Sequence, residues 1–195
     1  MADKFDVYMI GVGGQGIGLL SEALARAVWG SGQEVRGVDT HGLAQRGGTV
    51  VSQLRVGVDA HTPLIRAHSA ELVIAMERNE ALRGVLSHAK PGGTLLWYDA
   101  VWQPLSVRIR SEAPLKRESI AEACESLGVT ERRVFVEDLK DARMQNTAIL
   151  AAIADGGLIP GITRGNLREA LSDLLGGAIL ANNLSLFDRL SGPVD

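Results

Sequence analysis

Apolar positions follow two spacings along this chain. Phe5 to Ile10, Glu71 to Met76 and Thr94 to Tyr98 are short, nearly continuous apolar runs. They suit strands buried on both faces of a sheet. Ile17, Leu20, Leu24, Ala27 and Val28 recur at helical spacing and predict a first helix, ending at Trp29-Gly30-Ser31-Gly32. Glu34 to Val38 predicts a short second strand that ends at Asp39. Thr49 to Val56 alternates, with Val50, Ser52, Leu54 and Val56 on one face and Val51, Gln53 and Arg55 on the other, and predicts a third strand. A helix carrying Leu82, Val85, Leu86 and Ala89 follows the 71–76 run, stopped by Pro91-Gly92-Gly93. Val107 to Arg110 reads as a short edge strand, and Val134 to Val136 as a last one. Between them Glu118 to Leu127 has Ile120, Ala121, Cys124 and Leu127 on one side of a helix.

From Asp141 the pattern turns helical. Met144, Ala148, Ile149 and Ala152 form one stripe. Thr163 is placed to cap a helix carrying Leu167, Ala170, Leu171, Leu174 and Leu175. Gly176-Gly177 separates it from Ile179 to Leu190. Asn146, Asn182 and Asn183 are poor mid-helix residues, predicted to bond a loop, a neighbouring backbone or solvent. Alternating strands and helices predict an α/β fold: a three-layer, Rossmann-like domain with a mainly parallel sheet and C-terminal helices. Residues 1–190 make a single domain in this reading, and 191–195 a frayed tail.

The chemistry concentrates at two glycine-rich segments. Gly11, Gly13 and Gly16 form G-x-G-x-x-G where the first strand becomes the first helix, with Gly14 and Gln15 between them. A turn of this kind aims free N–H groups and a partial positive charge at an anion, or merely packs the helix on the strand. Asp39 stands where a dinucleotide-binding fold holds a ribose hydroxyl, or it shapes a loop. Thr40-His41-Gly42-Leu43-Ala44-Gln45-Arg46-Gly47-Gly48 then leads directly into a strand, where an ordinary Rossmann unit has a crossover helix. Ordering such a polar loop is expensive unless it touches something.

Composition narrows the classes. The 195 residues are 46% hydrophobic and 22% charged, with net charge -3. That balance offers no electrostatic reason to bind nucleic acid or an anionic membrane. No apolar run approaches the ~20 residues of a membrane span. Met1-Ala2-Asp3-Lys4 lacks a signal-peptide core, and a single cysteine suits a reducing compartment, so a cytoplasmic setting is expected. Cys124 alone can build neither a disulfide within the chain nor a cluster or zinc site of several cysteines, and its helix places it in the core. His41, His61, His68 and His88 are scattered, and no nucleophile elbow, phosphate loop or C-x-x-C is present.

The glycine motif followed one βα unit later by the Arg46-Gly47-Gly48 loop resembles the gamma domain of 2-oxoacid:ferredoxin oxidoreductases, above all the small subunit of the indolepyruvate:ferredoxin oxidoreductase type. The helices holding Asn146-Thr147-Ala148-Ile149 and Asn182-Asn183 resemble that family's C-terminal region. The resemblance implies a subunit that is inactive alone. Thiamine diphosphate, Mg²⁺ and 4Fe–4S clusters are then held by other subunits, which decarboxylate a 2-oxoacid and pass electrons to ferredoxin, while coenzyme A captures the acyl group. It implies packing on a large thiamine-diphosphate-binding subunit, and ligand or partner contacts at Gly11, Gly13, Gly14, Gln15, Gly16, Thr40, His41, Gln45, Arg46, Gly47, Gly48 and Asn146. An aromatic 2-oxoacid, indolepyruvate or an arylglyoxylate, is the implied substrate.

Two readings from other classes stand beside it. One is a free-standing protein that binds NAD, with Asp39 on the ribose, or ATP. The other is an assembly module whose glycine turn binds nothing. The cysteine count also predicts that the chain purified alone is colourless and free of iron and thiamine diphosphate. Metal analysis, the visible spectrum and a thiamine assay of the isolated chain check this, and stoichiometric iron contradicts it.

Overall fold

The computed structural model describes residues 4–41, 48–58, 61–101 and 115–192. The expectations for Gly42 to Gly47, including Gln45 and Arg46, and for a strand at Val107 to Arg110 fall outside them. Six strands form one sheet: β1 (Phe5–Val12), β2 (Val35–His41), β3 (Thr49–Val56), β4 (Ala70–Ala75), β5 (Ala89–Tyr98) and β6 (Thr130–Val134). Among the described residues six helices accompany them: α1 (Ile17–Gly30), α2 (Arg78–His88), α3 (Arg117–Leu127), α4 (Gln145–Gly156), α5 (Arg164–Leu174) and α6 (Gly177–Leu190), with a 3₁₀ turn at Ala142–Met144.

The strand order is β2-β3-β1-β4-β5-β6. β1, β4, β5 and β6 pair in parallel. β3 runs antiparallel between β1 and β2, with Val7 opposite Leu54 and Val38 opposite Gln53. The sheet is thus mainly parallel with one reversed strand, the irregularity that the missing crossover helix foreshadows.

Alternation along the central strands divides the core into two layers. Val7, Met9, Leu72, Ile74, Leu96 and Tyr98 pack on one face with α1, α4 and α5 residues. Tyr8, Ile10, Val73, Ala75, Leu95 and Trp97 pack on the other with α2 and α3 residues. Both faces are covered, which explains why these strands read as continuous apolar runs.

Several boundaries differ from the sequence pattern, each for a packing reason. The last strand is Thr130–Val134, not 134–136. It is an edge strand of polar residues, anchored when the Trp97 indole N–H donates to Glu131 at 2.8 Å, so hydropathy does not mark it. α2 buries Ala81, Gly84 and Val85, while Leu86 is exposed and Ala89 already begins β5. Gly84 turns the helix: a Cβ there would meet Val73 Cγ1 at 2.9 Å and Ile10 Cγ2 at 3.1 Å. α3 buries Ile120 and Cys124 and turns Ala121 outward. α4 is apolar nearly all round rather than along one stripe, because it sits between the sheet side and the other C-terminal helices. Thr163 caps α5 in a reciprocal capping box with Asn166. Ser191 is not frayed; it is buried, donates to Phe187 O at 2.7 Å and accepts from Arg164.

One buried charge pins the reversed strand. Asp6 is fully buried and receives both arms of Arg55, at 2.8 and 3.2 Å. The same guanidinium donates to the carbonyls of Thr62 and Leu64, so it also holds the β3–β4 connection. Lys4 also reaches the Asp6 carboxylate, at 3.2 Å, from a partly exposed position, so removing Arg55 leaves the buried charge with that weaker partner alone. Arg55→Met is therefore expected to lower stability, by less than the about 3–5 kcal/mol of a buried charge left with no partner, and Asp6→Leu added to it to restore most of that loss. Urea unfolding of the single and double variants checks both.

Candidate functional site

Five strands running one way end at a common edge of the sheet. In open α/β sheets this carboxyl edge is where ligands bind. The glycine turn stands at its middle, after β1. Gln15 closes the turn: its Oε1 accepts from Val12 N at 2.8 Å, and its Nε2 donates to Met76 O at 3.0 Å. Gly13 N donates to Gly48 O at 2.8 Å, joining the turn to the far end of the Arg46 loop. Asn146, from α4, donates to Gly16 O at 3.1 Å. Gln15 and Asn146 thus have side chains that brace the turn.

Gly16 has φ +78 and is the N-cap of α1, with no side-chain cap. A Cβ on it would lie 2.5 Å from Asn146 Nδ2, so glycine is required for both conformation and space. Gly14, with φ +104, has no atom within 4 Å of a Cβ position and is exposed. Among the described residues the start of α1 is uncovered beside Gly14, and its first turn carries no acidic residue to compensate the positive dipole end. A groove of about 430 Å³ runs from Leu19, in that first turn, past Met144, Leu175 and Ile179, with Lys140 and Asn182 at its rim.

Thr40 and His41 end β2 at the same edge, two strands from the turn, because β3 lies between. Asp39 is displaced with them. Adjacent strands are ~4.8 Å apart, so the inserted strand doubles the lateral distance from β1 that a ribose-binding acid would have. Asp39 instead accepts hydrogen bonds from Ser52 and Ser21. This geometry does not support the dinucleotide reading.

The edge also gathers charges that sequence reasoning missed. Glu77 is buried after β4 and caps α2, accepting from Glu80 N at 2.6 Å. Glu80 accepts from Thr49 at 3.2 Å and from Arg83 at 2.7 Å, tying the start of β3 to α2. Asp99, at the end of β5, accepts from Arg78 at 2.6 Å and Arg133 at 2.7 Å. An acid directly after a buried apolar run, as in Met76-Glu77 and Tyr98-Asp99, is the signal that locates them.

These acids shift in opposite directions. Burial pushes the Glu80 carboxyl up from its ordinary 4.5, against the pull of Arg83. Burial pushes Asp99 the same way, but its hydrogen bonds to Arg78 and Arg133 outweigh it and hold the carboxyl below its ordinary 3.8. Cys124 is buried and its thiol is raised to about 11, so it is a core residue without thiolate character at neutral pH. Among the described residues no three His, Cys, Asp or Glu gather as a metal site, and no helix is long and apolar enough to cross a membrane. Among the described residues the edge offers the backbone amides of the glycine turn, with Glu80 and Asp99 paired to arginines and Glu77 engaged in capping α2.

Comparison with known proteins agrees with this architecture. A family model described as pyruvate ferredoxin/flavodoxin oxidoreductase matches residues 6–190. The indolepyruvate oxidoreductase subunit IorB of Archaeoglobus fulgidus is 44% identical over 80 residues, 41% of this chain and 39% of its own length. The IorB subunit of Thermococcus kodakarensis is 33% identical over 90 residues, 46% of this chain and 44% of its own length. The chain thus aligns with less than half the length of these curated relatives. In fold it is similar to the 2-oxoglutarate:ferredoxin oxidoreductase of Magnetococcus marinus, solved with 2-oxoglutarate, coenzyme A and succinyl-CoA bound. The TM-score is 0.71 at 20% identity, over 98% of this chain and 31% of that one. It is also similar to the pyruvate oxidoreductase subunit PORC of Thermotoga maritima, with TM-score 0.65 at 15% identity over 97% of this chain and 96% of that one.

The opposite shifts predict two separable pH effects. Glu80, with its folded pKa raised, favours the folded state below about pH 4.5, and that contribution is lost as pH rises through the folded value. Asp99, with its folded pKa lowered, favours the folded state above about pH 3.8, and that contribution is lost as pH falls through the folded value. Chemical unfolding across pH is expected to show Glu80→Gln flattening the profile above 4.5 and Asp99→Asn flattening it below 3.8. Parallel profiles for wild type and both variants would contradict this.

Proposed function

Because the chain belongs to the pyruvate ferredoxin/flavodoxin oxidoreductase family, we propose that it is the subunit without iron–sulfur clusters of a thiamine-diphosphate-dependent 2-oxoacid:ferredoxin oxidoreductase. The family match over residues 6–190 carries this reading. The single cysteine supports it, since a cluster held by thiolates takes four. Thiamine diphosphate, Mg²⁺ and the clusters belong to partner subunits in this reading and supply decarboxylation of the 2-oxoacid and electron transfer to ferredoxin. An aromatic 2-oxoacid is favoured by the relatives named for indolepyruvate.

In this proposal the chain packs on the large thiamine-diphosphate-binding subunit and completes the substrate and coenzyme A side of the complex. The open amides around Gly14 and Gly16 would hold an anion: a 2-oxoacid carboxylate, a phosphate of coenzyme A, or an acid of the partner. Gln15 and Asn146 keep those amides oriented, Gly48 joins the turn through Gly13, and Thr40, His41 and Gly47 are proposed as further contacts of the same edge. Arg46 is the cation of the adjoining loop, and its rigid fork of donors suits a carboxylate or phosphate. The groove from Leu19 to Ile179 would accept the apolar arm of coenzyme A, with Lys140 at its rim.

Co-expression with the large subunit is expected to give a stable complex burying on the order of 2,000 Å² or more, and a chain that stays monomeric overturns the proposal. Within the complex, Arg46→Lys and Arg46→Ala are expected to lower 2-oxoacid oxidation or subunit affinity about ten- to a hundredfold, while the isolated chain melts as wild type does. Full activity with normal assembly would reduce the loop to a turn.

A further inference from the structure

At the opposite end of α1 from the glycine turn lies a second groove, of about 480 Å³, between α1, the start of β2 and α5. Its floor is Ala25, Val35 and Ala170. One wall is Trp29, whose side chain is 75% exposed although it is among the largest apolar groups of the chain. The other wall carries Glu169 and Asp173, four residues apart on α5.

Two features make this wall unusual for a free surface. Like charges at i,i+4 on a helix destabilise it, and among the described residues neither carboxylate pairs with a cation. Arg168, beside them in sequence, pairs with Asp188, and Arg26, across the groove, pairs with Glu22. An exposed indole and two carboxylates lining one groove offer a guanidinium both a ring to stack on and acids for forked bonding.

We propose that this groove seats an arginine-bearing segment of a partner polypeptide. The groove is remote from the carboxyl edge, so it provides a second attachment that leaves the glycine turn free. Only the identity of the partner, another subunit of the oxidoreductase, rests on the function proposed above.

Two measurements test it. The isolated chain is titrated with a capped alanine pentapeptide bearing a central arginine, and with its glutamate counterpart, following the Trp29 indole by NMR. The arginine peptide alone is expected to shift the Trp29 signal saturably, with binding weakened about fivefold or more in Glu169→Gln/Asp173→Asn. No Trp29 response, or equal responses to both peptides, overturns the proposal. In the complex with the large subunit, Trp29→Ala and Asp173→Lys are expected to weaken association about tenfold, with Asp173→Asn milder than Asp173→Lys and the isolated variants melting as wild type does. Unchanged association overturns the groove while the subunit reading stands. A wild-type chain that binds no large subunit overturns the subunit reading, and the peptide titration still decides the groove.

Discussion

The hydrogen bond from Gly13 N to Gly48 O is the tie on which the site depends. It joins the end of β1 to the start of β3, two segments separated by the whole α1–β2 excursion. The turn around it is held from three further sides: by β4 through Gln15 and Met76, by α4 through Asn146 and Gly16, and by its own strand through Val12. Such bracing orders a glycine-rich turn that would otherwise lose more backbone entropy on folding than any other composition. It also fixes the orientation of the amides at the start of α1.

The reversed strand β3 sets the second constraint. Its position between β1 and β2 moves Asp39 away from the glycine turn and brings Gly48, just before β3, beside it instead. A dinucleotide fold and this one share the motif G-x-G-x-x-G but differ in what stands next to it. The Asp6–Arg55 pair, buried at the amino edge of the sheet, holds β3 against β1 while Arg55 also fastens the β3–β4 connection. Buried pairs of this kind add little net stability compared with apolar packing, and their stringency is against alternatives in which one charge is left alone.

The acids of the carboxyl edge are committed inward. Glu77 caps a helix, Glu80 joins Thr49 and Arg83, and Asp99 bridges Arg78 and Arg133. They tie the strand ends of the edge to α2 and to β6.

Local spacing in the sequence determined much of this protein. Nearly continuous apolar runs announced β1, β4 and the main part of β5, because strands covered on both faces have no polar side. Alternation announced β3, Thr163 announced its helix, and the glycine motif paired with the Arg46 loop located the candidate site. Only the tertiary structure decided where the polar edge strand β6 lies, which face of α2 is buried, and that Gln15 and Asn146 brace the turn. These depend on contacts between residues distant in sequence: Trp97 with Glu131, Gly84 against Val73 and Ile10, Asn146 with Gly16. The physical reason is that periodicity records which side of an element faces away from water, whereas the partner of a polar group is set by where the chain returns.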